Sequence, residues 1–336
     1  MKAAVFKEKE ILAVENISDP EPGDDEIVVQ VEYCAICGSD LHRYAFGMMN
    51  PGTIMGHEYS GQVVGFGKEV EGYNIGDRVA RWGGKIIPGR ELPNYPPRYN
   101  ARERGFLPIK PGAYAEYVVE KAEKITKIPD RMTFLDASLL EPLAVAVHSV
   151  RTSKIRLGDN IVVLGAGPIG LFTQQCASAA GGLKIYVSDM NSHRLKIASE
   201  LGAHEVFKAD QVDLLKEIIA LTEIGADVVF ECAGAKPTFQ QALEVAKMRG
   251  RVMLVSLAWE QVDCLPVEWV GREVEMKTCY GHRNSDWAVA MDLLLDDKIE
   301  TEPMISKIVE LDEIQNTFQE LLNPATSDVQ VIVKCS

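Results

Sequence analysis

The sequence predicts an α/β protein in which a doubly wound parallel sheet is inserted into a mostly β, barrel-like domain. Three observations carry this. Residues 1–146 are short strand-like runs broken by Gly and Pro. From 147 to 286, apolar runs alternate with segments of helical period. After 287 the pattern loosens and closes on a strand-like run at 329–334.

In the first stretch, runs such as 26–33 (EIVVQVEY), 61–67, 77–82 and 113–119 are short and bounded by turn residues, as in an all-β region. In the second, strand candidates lie at 160–165, 184–189, 204–209, 226–232, 251–257 and 273–280. The gaps carry helical period. Val212, Leu214, Leu215, Ile218, Ile219 and Leu221 are expected near one helix face. Parallel strands need crossover connections, so six strands with intervening helices read as a doubly wound sheet. In the third, helices are expected near 286–296 and 312–322, around an extended 303–311. This tail is expected to rejoin the first domain, giving 1–146 plus 287–336 around 147–286.

A chain of 336 residues suggests about two domains. The formal charge of −14 disfavours nucleic acid and anionic membrane surfaces, which attract basic patches. No apolar run reaches the roughly 18 residues of a membrane span. The amino-terminal residues lack the apolar core of a signal peptide. Seven scattered cysteines form no disulfide framework, so a cytoplasmic, reducing setting is expected.

Gly165-Ala166-Gly167-Pro168-Ile169-Gly170 fits G-x-G-x-x-G. It follows an apolar strand, opens a helical pattern, and has Asp189 at the end of the next strand, which is the context a dinucleotide fingerprint requires. The first Gly permits the turn, the second lets backbone approach the pyrophosphate, and the third lets helix and strand pack. The helix N-terminus then offers N–H groups to the phosphates. Asp189 can accept from a ribose 2′-hydroxyl and would repel a 2′-phosphate, so NAD is expected over NADP. Arg194, five residues on, softens that preference.

Cys37-Gly38-Ser39-Asp40-Leu41-His42, Gly56-His57-Glu58 and Glu141-Pro142 contribute thiolate, imidazole and carboxylate, which are zinc-ligand types. Singly, each reads as a buried filler or a structural polar residue. With Gly76-Asp77-Arg78-Val79, the GAYAEY run at 112–117, the glycine motif, Asp189 and the ADVVFECAG run at 226–234, the chain resembles the zinc-containing medium-chain dehydrogenases, in their sorbitol and threonine dehydrogenase branch. The resemblance covers essentially the whole chain.

The resemblance implies a Rossmann domain inserted into a GroES-like catalytic domain. It implies one catalytic zinc on Cys37 and His57, with Glu58 a ligand or outer partner exchanging with water. Glu141 stands where other members have a cysteine, and either coordinates or holds a water on the metal. Ser39 and His42 match the proton relay, and Asp40 supports the site from behind. The implied activity is hydride transfer between NAD and a small alcohol or ketone, here a polyol, sugar alcohol or sugar acid. A threonine-type amino alcohol is the alternative substrate. A zinc-free reductase and a non-catalytic nucleotide-binding module are the alternatives of other kinds. A homodimer or homotetramer is usual in the family.

One departure is informative. Many members carry a four-cysteine structural zinc in a lobe that here is 83–110. No cysteine occurs between Cys37 and Cys176, so that site is not expected. Arg90, Arg98, Arg102 and Arg104 make the lobe basic. Tyr44, Phe46 and parts of 83–110 are expected to wall the substrate pocket. Cys34, His148, His193, His204 and His282 are expected to be structural or surface residues.

Overall fold

The computed structural model describes residues 1–82 and 112–336. The arginines and pocket walls expected in 83–110 lie outside the described residues. Two compact units are present: Met1–Glu141 with Ile305–Ser336, and Pro142–Met304.

The first unit opens with β1 (Lys2–Glu8), β2 (Ile11–Asn16), β3 (Glu26–Ala35), β4 (Glu58–Phe66), β5 (Arg78–Arg81), β6 (Tyr117–Lys121) and β7 (Ile125–Lys127). The second unit holds β8 (Asn160–Leu164), β9 (Lys184–Asp189), β10 (Glu205–Lys208), β11 (Ala226–Glu231), β12 (Ala246–Leu254) and β13 (Glu275–Thr278). The chain then returns to the first unit with β14 (Ile305–Glu310) and β15 (Gln330–Lys334).

In the first unit the main sheet runs β14-β15-β3-β4-β5-β7, with β6 also on β3. β3 is the organising strand. Ile27, Val28, Val29, Val31, Cys34 and Ala35 are all buried, which is why 26–33 reads as almost continuously apolar. Tyr44, Tyr114 and Phe318 close the core. Phe318 meets the two tyrosine rings edge-on at 5.2 and 5.8 Å, a favoured aromatic geometry. Truncating Phe318 to Ala would cost about 3–5 kcal/mol. The antiparallel register pairs Ala35 with Glu58 and Cys34 with Tyr59. It therefore brings the segment leaving β3, which carries Cys37, beside His57 and Glu58 at the start of β4.

In the second unit all six strands are parallel, in the order β10-β9-β8-β11-β12-β13. Ile161, Val162, Val163 and Leu164 of β8 are all buried, as a strand covered on both faces requires. The strand order reverses between β8 and β11, and ligands of such sheets lie across the carboxyl ends at that point.

The helix expected at 212–221 is Leu214–Thr222, capped by Asp213, whose carboxylate accepts from Lys216 N at 3.3 Å. Its buried face is narrower than the sequence suggests. Only Leu214 and Ile218 of that helix are buried, and Leu215, Ile219 and Leu221 are exposed. The units divide at 141/142 and 304/305, whereas the sequence texture changes near 146/147 and 286/287. Helix Asn284–Leu295 is held in the second unit by Asp286, which accepts from His148 Nδ1 at 2.8 Å and from Arg151 Nη1 at 2.7 Å. His148, expected to be structural, has this partner.

Candidate active site

Cys37 caps helix Gly38–Phe46, and its sulfur accepts from Ser39 N at 3.4 Å and from the Ser39 hydroxyl at 3.2 Å. Gly56 supplies the turn that aims His57. Its φ is +96°, and a Cβ there would lie 2.9 Å from Cys34 Sγ and 2.9 Å from Tyr114 N. Only glycine meets both demands without strain. Arg81 Nη1 donates to the His57 carbonyl at 3.2 Å. Glu58 is buried at the head of β4.

One ligand atom each from Cys37, His57 and Glu58 all lie within 4.8 Å of one another. This is the one such group of three among the described residues. Glu141, in the first turn of helix Leu140–Ser153, is not in that set. Its charge nevertheless acts on Cys37 and Glu58.

Burial and charge oppose one another throughout the cluster. Burial, then the Cys37 and Glu141 charges, pushes the Glu58 carboxyl well above the carboxylate range. Burial also disfavours the Cys37 thiolate, yet the His57 imidazole beside it outweighs burial and holds the thiol below its ordinary value. Burial opposes protonation of His57, but Asp40 and Cys37 hold it well above the usual histidine range. Glu58 Oε2 is buried without a hydrogen-bond partner. Two acids and an imidazole crowded together, with Glu58 buried, are costly unless paired or bound to a metal. Ligands about 2.0–2.3 Å from a tetrahedral zinc stand roughly 3.5 Å apart, which this cluster can meet.

Asp40 backs the cluster. It is fully buried, with Oδ2 3.4 Å from His57 Nδ1 and 3.0 Å from the donating Tyr114 hydroxyl, and Oδ1 3.3 Å from Arg43 Nη1. Burial would raise its carboxyl, but His57, Arg43 and Tyr114 outweigh burial and lower it. Asp40 is therefore an anion that faces one ring nitrogen of His57 and leaves the other to a metal. Tyr114 and Arg43 escaped sequence reasoning. Tyr114 is 74 positions from Asp40, so no local spacing links them.

The relay pair is placed along the same helix. The Ser39 hydroxyl is given to Cys37, so it must turn to serve a proton path. His42 Nδ1 lies 2.7 Å from the Gly38 carbonyl, which can only accept. Nδ1 therefore carries a proton, which leaves Nε2 as the nitrogen that can accept one. Tyr44 is a correction. It does not wall a pocket but sits fully buried, its hydroxyl donating to the Glu10 carbonyl at 2.5 Å and accepting from Gln315 Nε2 at 3.0 Å. Helical period sets Tyr44 on the inner face, whereas Phe46 is exposed.

In the second unit, Gly165 takes φ +100° after β8, and helix Pro168–Ala179 begins with Pro at its first position. The three glycines divide their work. A Cβ at Gly165 would meet Ala233, one at Gly170 would strike the Gly165 carbonyl at 1.8 Å, and one at Gly167 would meet nothing within 4 Å. Gly167 is thus the open approach, while the other two allow close packing. Ile169 lies in the helix's first turn. Asp189 Oδ2 accepts from Ala166 N at 2.6 Å, and Oδ1 accepts from Asn191 N at 2.7 Å. The acid therefore braces the glycine turn, a role the sequence did not suggest. Arg194 lies in the first turn of helix Ser192–Glu200, where its N–H donates to the Asn191 cap.

Comparisons with known proteins cover both units. A family described as "Zinc-binding dehydrogenase" matches residues 168–296, and one described as "Alcohol dehydrogenase GroES-like domain" matches 23–130. The (R,R)-butanediol dehydrogenase of Bacillus subtilis (strain 168) is 33% identical over 99% of this chain and 99% of its own. A sorbitol dehydrogenase of Halalkalibacterium halodurans is 32% identical, covering 88% of each chain. A crystal structure of a zinc-binding dehydrogenase of Sinorhizobium meliloti 1021 with NADP superposes with a TM-score of 0.87, at 30% identity, over 99% of this chain and 98% of that one.

Proposed function

This chain belongs to the zinc-type medium-chain dehydrogenases, in their sorbitol dehydrogenase branch, and from that premise we propose that it oxidises a vicinal diol or polyol at a secondary carbinol with NAD as hydride acceptor. It is an oxidoreductase of polyols or secondary alcohols. The observation that carries the metal-dependent part of this reading is the convergence of Cys37, His57 and Glu58, with buried Glu58 Oε2 lacking a hydrogen-bond partner.

These three residues would hold the zinc, with Glu141 as a second carboxylate whose charge acts on Cys37 and Glu58. When bound, zinc supplies Lewis acidity at the reacting oxygen. Asp40 keeps the His57 ring in one orientation. Ser39 N–H and hydroxyl stabilise the Cys37 thiolate. On turning, the Ser39 hydroxyl takes the alcohol's proton at Oγ as it gives up its own towards His42, one helical turn on, which takes it at Nε2 and releases it to solvent. The turn at Gly167 admits the pyrophosphate to the N-terminus of helix Pro168–Ala179. Asp189 favours a ribose hydroxyl over a phosphate, which supports NAD, although the Sinorhizobium relative holds NADP.

The seven cysteines are all free, which supports a reducing, cytoplasmic setting. No helix of the described residues is long and apolar enough to cross a membrane. An assembly of two or four copies is supported by β13, which is an edge strand among the described residues with Met276 exposed, and by exposed Val267 and Val270 on helix Pro266–Arg272.

The test is metal analysis with a substrate screen. Zinc is expected at one ion per chain, and NAD reduction is expected with 2,3-butanediol, sorbitol or xylitol above threonine. Full activity after zinc is stripped, or threonine as the best substrate, would overturn the reading.

A further inference from the structure

Glu231 ends β11 and is fully buried. A buried carboxylate is tolerated only when its lone pairs are satisfied. Here Oε1 accepts from Ala233 N at 3.0 Å, Gly234 N at 2.8 Å and the Thr238 hydroxyl at 2.7 Å. Oε2 accepts from the Ser256 hydroxyl. The Glu231 carbonyl accepts from Val255 N at 3.0 Å and Ser256 N at 3.1 Å. One residue thus ties together the loop after β11, the first turn of helix Lys236–Val245 and the segment after β12. That helix has Ala235 at its cap, with no capping side chain.

The loop that Glu231 holds closes on the glycine turn. Cys232 N donates to the Leu164 carbonyl at 2.9 Å. A Cβ at Gly165 would lie 2.9 Å from Ala233 N and 3.1 Å from Ala233 Cβ. Gly234, at φ +68°, passes close to the Leu257 carbonyl, 3.2 Å from where its Cβ would be. β8 and β11 are the strands at which the sheet order reverses. One wall of the crevice there is the Gly165 turn, and the facing wall is Ala233–Gly234, whose shape Glu231 fixes.

We propose that Glu231 is a positioning residue of the dinucleotide site: it spends its carboxylate on Ala233, Gly234, Thr238 and Ser256 and so sets the wall that faces the Gly165 turn. The proposal rests on the dinucleotide-dependent reading above. Glu231 lies in the run 226–234 that marks the family resemblance, yet no ligand role follows for it from the sequence.

The experiment titrates NADH by fluorescence against wild type, E231L and E231Q, with bound zinc and the KM for 2,3-butanediol measured alongside. Leucine matches the volume but strands four donors, so NADH should bind roughly ten-fold or more weakly, as lost hydrogen bonds to a charged group imply. Glutamine keeps one acceptor oxygen for Ala233, Gly234 and Thr238 and should restore binding to within about three-fold of wild type. Zinc content and the alcohol KM should not move. Unchanged NADH affinity in E231L would overturn the proposal, as would equal losses of NADH affinity, zinc and alcohol KM. If E231L does not fold, T238V and S256A each cut one arm of the network. Each should weaken NADH about three-fold, and no change in either would overturn the proposal equally. Wild type that binds no NADH would instead overturn the dinucleotide reading itself.

Discussion

Asp40 Oδ2 stands 3.4 Å behind Nδ1 of His57, sealed from solvent by Arg43 and Tyr114. A ligand imidazole backed by a carboxylate is held in orientation and made more basic. Asp40→Asn should therefore lower zinc affinity about 10–100-fold, since outer partners of metal ligands typically carry that much. Competition with a chromogenic chelator measures it. Zinc retention equal to wild type would refute the role.

Cys37→Ala should remove the thiolate on which the site depends. Turnover is expected to fall below detection and bound zinc to be lost, while NADH titration stays near wild type, because Gly165, Gly167 and Asp189 belong to the other unit. Dialysis of the wild-type enzyme against a strong chelator should produce the same phenotype, reversed by added zinc.

Asp189→Gly is expected to do two things. Removing the acid relieves repulsion of a 2′-phosphate, so NADP use rises. It also strips Ala166 N of its acceptor at 2.6 Å, so the turn loosens and the KM for NAD rises roughly ten-fold. Initial-rate kinetics with both cofactors decide this. A switch in preference without loss of NAD affinity would show that the brace to Ala166 is idle.

Gly56→Ala places a Cβ 2.9 Å from both Cys34 Sγ and Tyr114 N at φ +96°. Left-handed strain and overpacking together should cost about 2–4 kcal/mol. Because His57 follows directly, zinc should be lost before the fold is. Urea unfolding with and without zinc separates the two effects.

Asp286 gives a pH signature in the second unit. Burial raises its carboxyl, but His148, the Arg283 N–H and Arg151 outweigh burial and hold it below its ordinary value. A depressed folded value means that stability is complete above the unfolded value, about 3.9, and is lost as pH falls through the folded value. Wild type should therefore lose more of its urea midpoint between pH 7 and pH 3 than Asp286→Asn does. Parallel losses would show that Asp286 is not the titrating group.

What the sequence disclosed follows from physics that is local. Buried parallel strands are continuous apolar runs, so β8, β9 and β11 stand out, and a glycine that must admit a phosphate is visible beside the strand it follows. Cys37 and the pair His57–Glu58 could be named as ligands, but only the register of Ala35 on Glu58 brings them together. Tyr114 behind Asp40 and Ser256 on Glu231 depend on chain-distant contacts that no spacing encodes. Tyr44 was misread because an aromatic near a metal motif suggests a pocket, while its helical phase sends it to the core beside Phe318.

The return of β15 to pair with β3 has a consequence for how the chain is made. Residues 142–304 form a continuous unit that can fold as soon as it leaves the ribosome. The pairing of β3 with β4 that gathers Cys37, His57 and Glu58 is local, but the other edge of β3 waits for residues 330–334, about 270 positions later in synthesis than Glu58. The ligand segments are thus paired early while the strand that backs them arrives last, so the final closure of this sheet rests on the most distant strand pairing among the described residues.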